Sequence, residues 1–236
     1  MMVKFGNFIY HYRNFLFPVF YLFLFVPSRN LFPDYRMALV LGFSVAVIGQ
    51  ICRVATIGLK YIIRGGKNRR VYAEDLVTTG LFAHSRNPLY VGNVLILVGL
   101  GIMSNTLLFN LIFSPLFIFF YQCIIRAEEN FLRNKFGEAF DQYCADVNRW
   151  FPRLTGLGET LGSMHFNWNR VIIREYTSAY IWLSGAVLVT LNTLYKLPGQ
   201  ELFDRYKFPL LITLGVLLVF YLFTRYLKKS KKLRAD

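Results

Sequence analysis

Two short runs hold the side chains best suited to chemistry in this sequence: Arg86-Asn87-Pro88-Leu89-Tyr90 and Arg126-Ala127-Glu128-Glu129. Between them Leu89 to Ile125 is a stretch of 37 residues without a charge. Polar and ionisable groups are expensive beside lipid, so their placement at the ends of an apolar stretch marks a candidate site. Carboxylates accept charge-assisted hydrogen bonds from an ammonium, and a tyrosine ring offers its π-face to a cation. Pro88 disfavours the helical conformation at Asn87 and is tolerated in the first turn of a helix. A helix opening at Pro88 therefore presents free N–H groups and a positive dipole end to an acceptor, with Asn87 at the N-cap. Capping alone would explain Asn87, and interfacial anchoring alone would explain Tyr90.

The two glutamates differ in their surroundings. Leu132, Phe136, Phe140, Tyr143 and Val147 recur at helical spacing, so one apolar face continues past the hydrophobic stretch. Glu128 lies four residues before Leu132 and four after Ile124, which puts its carboxylate on or beside that face, where a partner is expected. Glu129 lies four residues before Arg133, a spacing that suits an exposed helical ion pair of about 0.3 to 0.5 kcal/mol.

The elements that must hold these groups are membrane helices. Of 236 residues, 55% are hydrophobic and 18% aromatic, and the apolar residues come in long blocks. Six segments are predicted: Phe8 to Val26, Met37 to Ile57, Leu89 to Met103, Leu107 to Ile125, Tyr176 to Tyr195 and Phe208 to Leu227. The fold class is thus an all-α integral membrane protein of about six transmembrane helices, with a hairpin turning around Ser104-Asn105-Thr106. The first segment holds Arg13 and Pro18, so it begins late, lies obliquely or kinks. The composition change at Thr155-Gly156-Leu157-Gly158 divides residues 1–154, the core, from 155–236, a polar linker and a final helix pair. With Arg13 and Arg225 of the first and last segments counted on the inner side and Arg53 and Lys60 left out, twenty Lys and Arg fall on one side and five on the other, which predicts both termini in the cytoplasm. The first apolar run lacks a small-residue cleavage site, so it is expected to be retained in the membrane.

The net charge of +14 is spread along the inner membrane edges, which favours anionic lipid over nucleic acid as partner. Lys228-Lys229-Ser230-Lys231-Lys232 suits a topology anchor. Cys52, Cys123 and Cys144 are too scattered for a disulfide framework or thiolate metal site, and His11, His84 and His165 show no ligand spacing. No metal is expected.

Leu76-Val77-Thr78-Thr79-Gly80, Arg86-Asn87-Pro88-Leu89-Tyr90-Val91-Gly92, Glu128-Glu129, Phe136-Gly137, Tyr143 and Arg149-Trp150-Phe151-Pro152 form an ordered set. Across about Asp75 to Pro152 it resembles the membrane methyltransferase superfamily of isoprenylcysteine carboxyl methyltransferases and phospholipid N-methyltransferases. The resemblance implies a pocket for S-adenosylmethionine at the cytoplasmic helix ends. By matching position, Asn87, Pro88, Leu89 and Tyr90 would line it, Leu76, Val77 and Phe82 would contact it, and Glu128 would hold the cofactor's amino or hydroxyl groups. The implied acceptor is a lipid or lipidated substrate within the bilayer.

Two departures bear on that acceptor. Asn87 stands where the prenylcysteine enzymes commonly carry histidine, and Asn-Pro-x-Tyr looks more like the phospholipid enzymes. Ile124 stands where they place an arginine toward the substrate, and Arg126 is displaced from it by two positions, roughly 200° around a helix. Arg126 and Glu129 are taken as candidate catalytic residues, with membrane-edge snorkelling the alternative for Arg126. Carboxyl methylation needs no strong base, whereas an ammonium must first lose a proton, for which only Glu129 and His84 are nearby. The acceptor thus stays open between carboxylate and amine. A nicotinamide-dependent reductase would want a Gly-x-Gly-x-x-Gly segment, and Gly99-Leu100-Gly101 is better explained by helix packing. A non-catalytic membrane scaffold would predict no cofactor affinity.

Overall fold

The computed structural model describes residues 1–59, 71–197, 200–230 and 233. Lys60, Arg64, Lys67, Arg69 and Arg70 of one basic edge, and Lys231, Lys232 and Arg234 of the C-terminal one, lie outside the described residues. Among the described residues eight α-helices carry the fold: α1 (Met2–Phe23), α2 (Tyr35–Leu59), α3 (Pro88–Met103), α4 (Ser114–Phe136), α5 (Glu138–Asp146), α6 (Leu157–Ser163), α7 (Trp168–Tyr195) and α8 (Glu201–Lys229). A 3-10 turn, Gly80–Ala83, precedes α3, and a π-helical turn, Phe109–Phe113, leads into α4. The protein is an all-α membrane protein. Among the described residues, four helices are long and apolar enough to cross a bilayer: α2, Phe109–Phe136 with α4, α7 and α8.

The six expected segments are therefore not equivalent. The apolar α3 has 16 residues, about 24 Å at 1.5 Å per residue, short of a hydrocarbon core of about 30 Å. Helix α1 falls outside the four, and it carries Arg13 and Pro18 within its length. The hairpin turns at Ser104-Asn105-Thr106, as the sequence predicts. There Asn105 takes φ 53°, its Oδ1 accepts from the Phe32 N–H at 2.8 Å and its Nδ2 donates to the Phe32 carbonyl at 3.0 Å. A short polar side chain tolerates this left-handed backbone and satisfies the loop opposite.

Helices α2 and α3 form the most intimate pair. A Cβ on Gly92 would lie 2.7 Å from the Gly49 carbonyl oxygen and 2.5 Å from Cγ of Arg53. One such contact recurs a heptad away, where a Cβ on Gly99 would meet the Gly42 carbonyl at 2.6 Å. Small residues let membrane helices approach by backbone. Gly92→Leu is accordingly expected to lower stability by about 3 kcal/mol, because neither a carbonyl nor the Arg53 stem can yield freely. Thermal unfolding of the detergent-solubilised protein would show it.

Helix α1 packs on α4, α7 on α2 and α3, and α8 mainly on α7. One apolar cluster joins Ile9, Phe20, Ala46, Leu97, Leu100, Phe117 and Trp182 from five of these helices. The expected unbroken face past Glu128 is instead split between two helices. Gly137, at φ 55° and ψ −129°, ends α4 and starts α5, a conformation that only glycine adopts without strain. Leu132, Phe140, Tyr143 and Val147 still meet in one cluster with Ala73, because α5 folds back on α4.

Candidate functional site

The two sequence runs converge between α3 and α4. The Tyr90 hydroxyl donates to Oε1 of Glu128 at 2.6 Å, and Glu128 is 5% exposed. This is the partner that a carboxylate on an apolar face requires. Asn87 occupies the N-cap position of α3, and its carbonyl accepts from the Tyr90 and Val91 N–H groups, each at 3.0 Å. Its side chain does not cap the helix. Instead Nδ2 donates to the Arg149 carbonyl at 3.1 Å.

That contact belongs to a clasp between residues 84–87 and 148–153. Arg86 N–H donates to the Asn148 carbonyl and Arg153 N–H to the His84 carbonyl, both at 2.9 Å. His84 Nδ1 lies 2.6 Å from the Arg153 carbonyl and Nε2 lies 2.9 Å from Thr160 Oγ1. A carbonyl can only accept, so Nδ1 carries a proton. Both ring nitrogens are thereby engaged.

Glu129 completes the clasp. Arg149 donates to it bidentately, Nε to Oε1 at 2.9 Å and Nη2 to Oε2 at 2.6 Å, and Arg86 Nη2 stands 3.5 Å from Oε1. The expected exposed pair with Arg133 is not formed; Glu129 is buried, and Arg133 pairs with Asp141 at 2.6 Å across the Gly137 bend. The bend brings α5 within reach of Arg133, while tertiary folding brings Arg149 to Glu129. Beyond this, Tyr143 OH donates to the Phe82 carbonyl at 2.7 Å, and Lys135 Nζ donates to the carbonyls of Ala73 at 2.6 Å and Glu74 at 3.0 Å. Burial pushes the Cys144 thiol on α5 above its ordinary range, with nearby Arg86 opposing the shift.

Of the residues singled out in the sequence, Asn87, Glu128 and Glu129 line one cleft with Arg86, Leu132, Phe140 and Tyr143, and Tyr90 joins it through Glu128. Pro88 and Leu89 open α3 beside it. Leu76 and Val77 are half-buried and Phe82 is fully buried, and none of the three lines the cleft. Arg126 is exposed, on a different side of α4 from buried Glu128 and Glu129, so it is not brought to them. The cleft measures about 10 Å³, while the adjoining face of α4 borders a cavity of about 750 Å³. Asn7, Tyr10 and His11 of α1 line that cavity opposite Ala127, Asn130 and Asn134.

Sequence reading missed three contributors. Arg13, seen only as a blemish in an apolar run, stacks 4.1 Å from the centre of the Tyr10 ring and lies within electrostatic reach of Tyr90 and Glu128. Tyr121 packs its ring 4.9 Å from that of Tyr90, and Asn93 Nδ2 donates to the Tyr121 hydroxyl at 2.8 Å. Their signal was a polar residue within an apolar helix. Among the described residues, no three His, Cys, Asp or Glu side chains gather as a metal site would require.

Residues 37–139 match the phospholipid methyltransferase family model. The chain is 34% identical over 128 residues to a cobalt-zinc-cadmium resistance protein of Cupriavidus metallidurans, covering 53% of each chain. It is 33% identical over 117 residues to a nickel-cobalt-cadmium resistance protein of Alcaligenes xylosoxydans xylosoxydans, covering 49% of each. A protein-S-isoprenylcysteine O-methyltransferase of Schizosaccharomyces pombe is 24% identical over 129 residues, covering 51% of this chain and 55% of that one. The chain thus spans about half the length of these relatives. No solved structure matches it. The matched region contains Arg86, Asn87, Glu128, Glu129 and Leu132 of the cleft, and over it the chain is similar to the phospholipid methyltransferase family and, at lower identity, to the isoprenylcysteine enzymes.

Proposed function

We propose that this protein is an S-adenosylmethionine-dependent methyltransferase that modifies a lipid or lipidated acceptor at the cytoplasmic edge of a membrane. The observation that carries the reading is the buried Glu128–Tyr90 pair at the opening of α3, inside the family-matched region. The donor set fits the cofactor. A carboxylate suits its ammonium or ribose hydroxyls, the tyrosine faces suit a sulfonium, and the start of α3 suits its carboxylate. The cleft itself is about as wide as one water, but the 750 Å³ cavity on the adjoining face of α4 is of ligand size.

The bound cofactor supplies an electrophilic methyl group on sulfur. The work left to the chain is binding, alignment and exclusion of water. Glu128 and Tyr90 fix one end of the site, and the clasp of Glu129 with Arg149 and Arg86 holds Asn87 and Pro88 in place. Exposed Arg126 at the membrane edge suits contact with anionic headgroups. Both expected bases are occupied, His84 at both nitrogens and Glu129 in ion pairs. This supports an acceptor that is already nucleophilic, a carboxylate, over an ammonium. The phospholipid enzymes' name on the matched family model favours the second reading, amine methylation.

Calorimetric titration of the purified protein with S-adenosylmethionine, its demethylated product and NADPH tests the reading. Saturable binding of both sulfur compounds is expected; binding of NADPH alone sinks it, as does binding of none. Incubation with radiolabelled cofactor and membrane lipids, then alkali, separates the acceptors: release of label as methanol indicates an ester, and retention indicates an N-methyl group. Reaction of single-cysteine variants near both termini with an impermeant thiol reagent in oriented vesicles tests the proposed cytoplasmic placement.

A further inference from the structure

Helix α7 lies outside the family-matched residues 37–139, yet it puts a carboxylate into the interior of the helix bundle. Glu175 is 3% exposed and Arg53 of α2 is 9% exposed. Arg53 donates to it bidentately, Nε to Oε1 at 2.6 Å and Nη2 to Oε2 at 2.7 Å. Gln50 Nε2 donates to Glu175 Oε1 at 3.2 Å, and the Trp182 indole holds Gln50 Oε1 at 2.7 Å. Ser178 Oγ accepts from Arg53 Nη2 at 3.1 Å.

The ion pair does not end there. Arg53 Nη1 also donates to Asn93 Oδ1 on α3. An amide has two ends, and with its oxygen held by Arg53 the Nδ2 is turned to donate to the Tyr121 hydroxyl at 2.8 Å. The Tyr121 ring packs 4.9 Å from that of Tyr90, whose hydroxyl is bonded to Glu128. A chain of hydrogen bonds joined by one ring contact, Tyr121 on Tyr90, thus crosses four helices from α7 to the cleft. Ionisable groups inside a membrane domain mark function by default, and hydrogen-bonded networks hold their members in one arrangement.

We propose that Glu175 is a positioning residue for the methyl-transfer site: by fixing Arg53 it fixes Asn93 and Tyr121, and so sets the orientation of Tyr90 against Glu128. This rests on the methyltransferase reading above. The C-terminal helix pair is then a working part of the site, with Glu175 acting through Arg53 and never touching cofactor.

The test uses the full chain in nanodiscs. Glu175→Gln keeps the side chain's shape and removes its charge, while Asn93→Leu cuts the relay and leaves the ion pair whole. Both are expected to lower turnover at least tenfold and to weaken binding of S-adenosylmethionine, since Tyr90 and Glu128 are the groups proposed to hold it. The double variant is expected to be no slower than the slower single one, since the two changes break one chain. A fluorotyrosine at position 90, followed by fluorine NMR without cofactor, is expected to shift in both variants. Multiplicative losses in the double variant, unchanged turnover per folded molecule, or an unmoved Tyr90 resonance would each overturn the proposal. If the wild-type chain neither binds the cofactor nor transfers a methyl group, the methyltransferase reading fails and the catalytic role of Glu175 with it; the fluorine resonance then still reports separately whether α7 is coupled to Tyr90.

Discussion

Glu128→Gln is expected to weaken binding of S-adenosylmethionine about 100-fold, with the melting temperature of the empty protein unchanged or raised. The amide keeps the shape of the carboxylate and can still accept from the Tyr90 hydroxyl, now 2.6 Å from Oε1. What it loses is the charge, and a charge-assisted bond to a buried cation is worth about 2 to 3 kcal/mol. Neutralising a carboxylate that is 5% exposed removes a desolvation cost in the empty state. Calorimetric titration and thermal unfolding of one preparation separate the two effects. Equal cofactor affinity in Glu128→Gln and wild type would remove Glu128 from the binding site.

The second large effect concerns architecture. Glu129→Ala is expected to destabilise the protein by about 3 kcal/mol, the cost typical of leaving one partner of a buried ion pair alone. The Arg149 guanidinium would lose both bonds, at 2.6 and 2.9 Å, and the segment carrying Asn87 would lose its tether through Arg149. Arg133→Ala serves as the contrast. Its pair with Asp141 is about half exposed on both sides, so a change below about 1 kcal/mol is expected. Thermal unfolding followed by tryptophan fluorescence reads both, since Trp150 sits in the clasp with its indole donating to Gln122 Oε1 at 2.8 Å. Equal destabilisation by the two substitutions would refute the clasp.

Local features of the site were legible because they rest on local rules. Pro88 restricts Asn87 and opens a helix whatever surrounds it. The uncharged run from Leu89 to Ile125 has to turn in the middle, and Asn105 tolerates the left-handed conformation of that turn. Glu128 was assigned a buried partner from helical spacing alone, and Tyr90 supplies it. The identity of that partner was a different matter. Tyr90 and Glu128 are 38 positions apart, and no periodicity within one helix sets the angle between two.

The same limit explains the exchange of partners at Glu129. A spacing of four favours Arg133 by a few tenths of a kcal/mol, and a bidentate arginine at 2.6 and 2.9 Å in a buried clasp outweighs it. Arg149 reaches Glu129 through the tertiary course of the chain, 20 positions on, past the Gly137 bend and α5. Arg53 shows the limit most clearly. In sequence it was a stray charge near the end of an apolar segment, and Glu175 was an unremarked residue before another.

Sequence alone specifies an all-helical membrane protein, its hairpin, and two polar runs that resemble those of membrane methyltransferases, because hydropathy, proline and helical period act within a few residues. The tertiary structure decided which carboxylate faces the cleft with Tyr90, which one is locked by Arg149, and that α7 reaches the core through Glu175. Those outcomes depend on distances between helices far apart in the chain, where one favourable ion pair or one glycine-to-carbonyl approach outweighs any local preference.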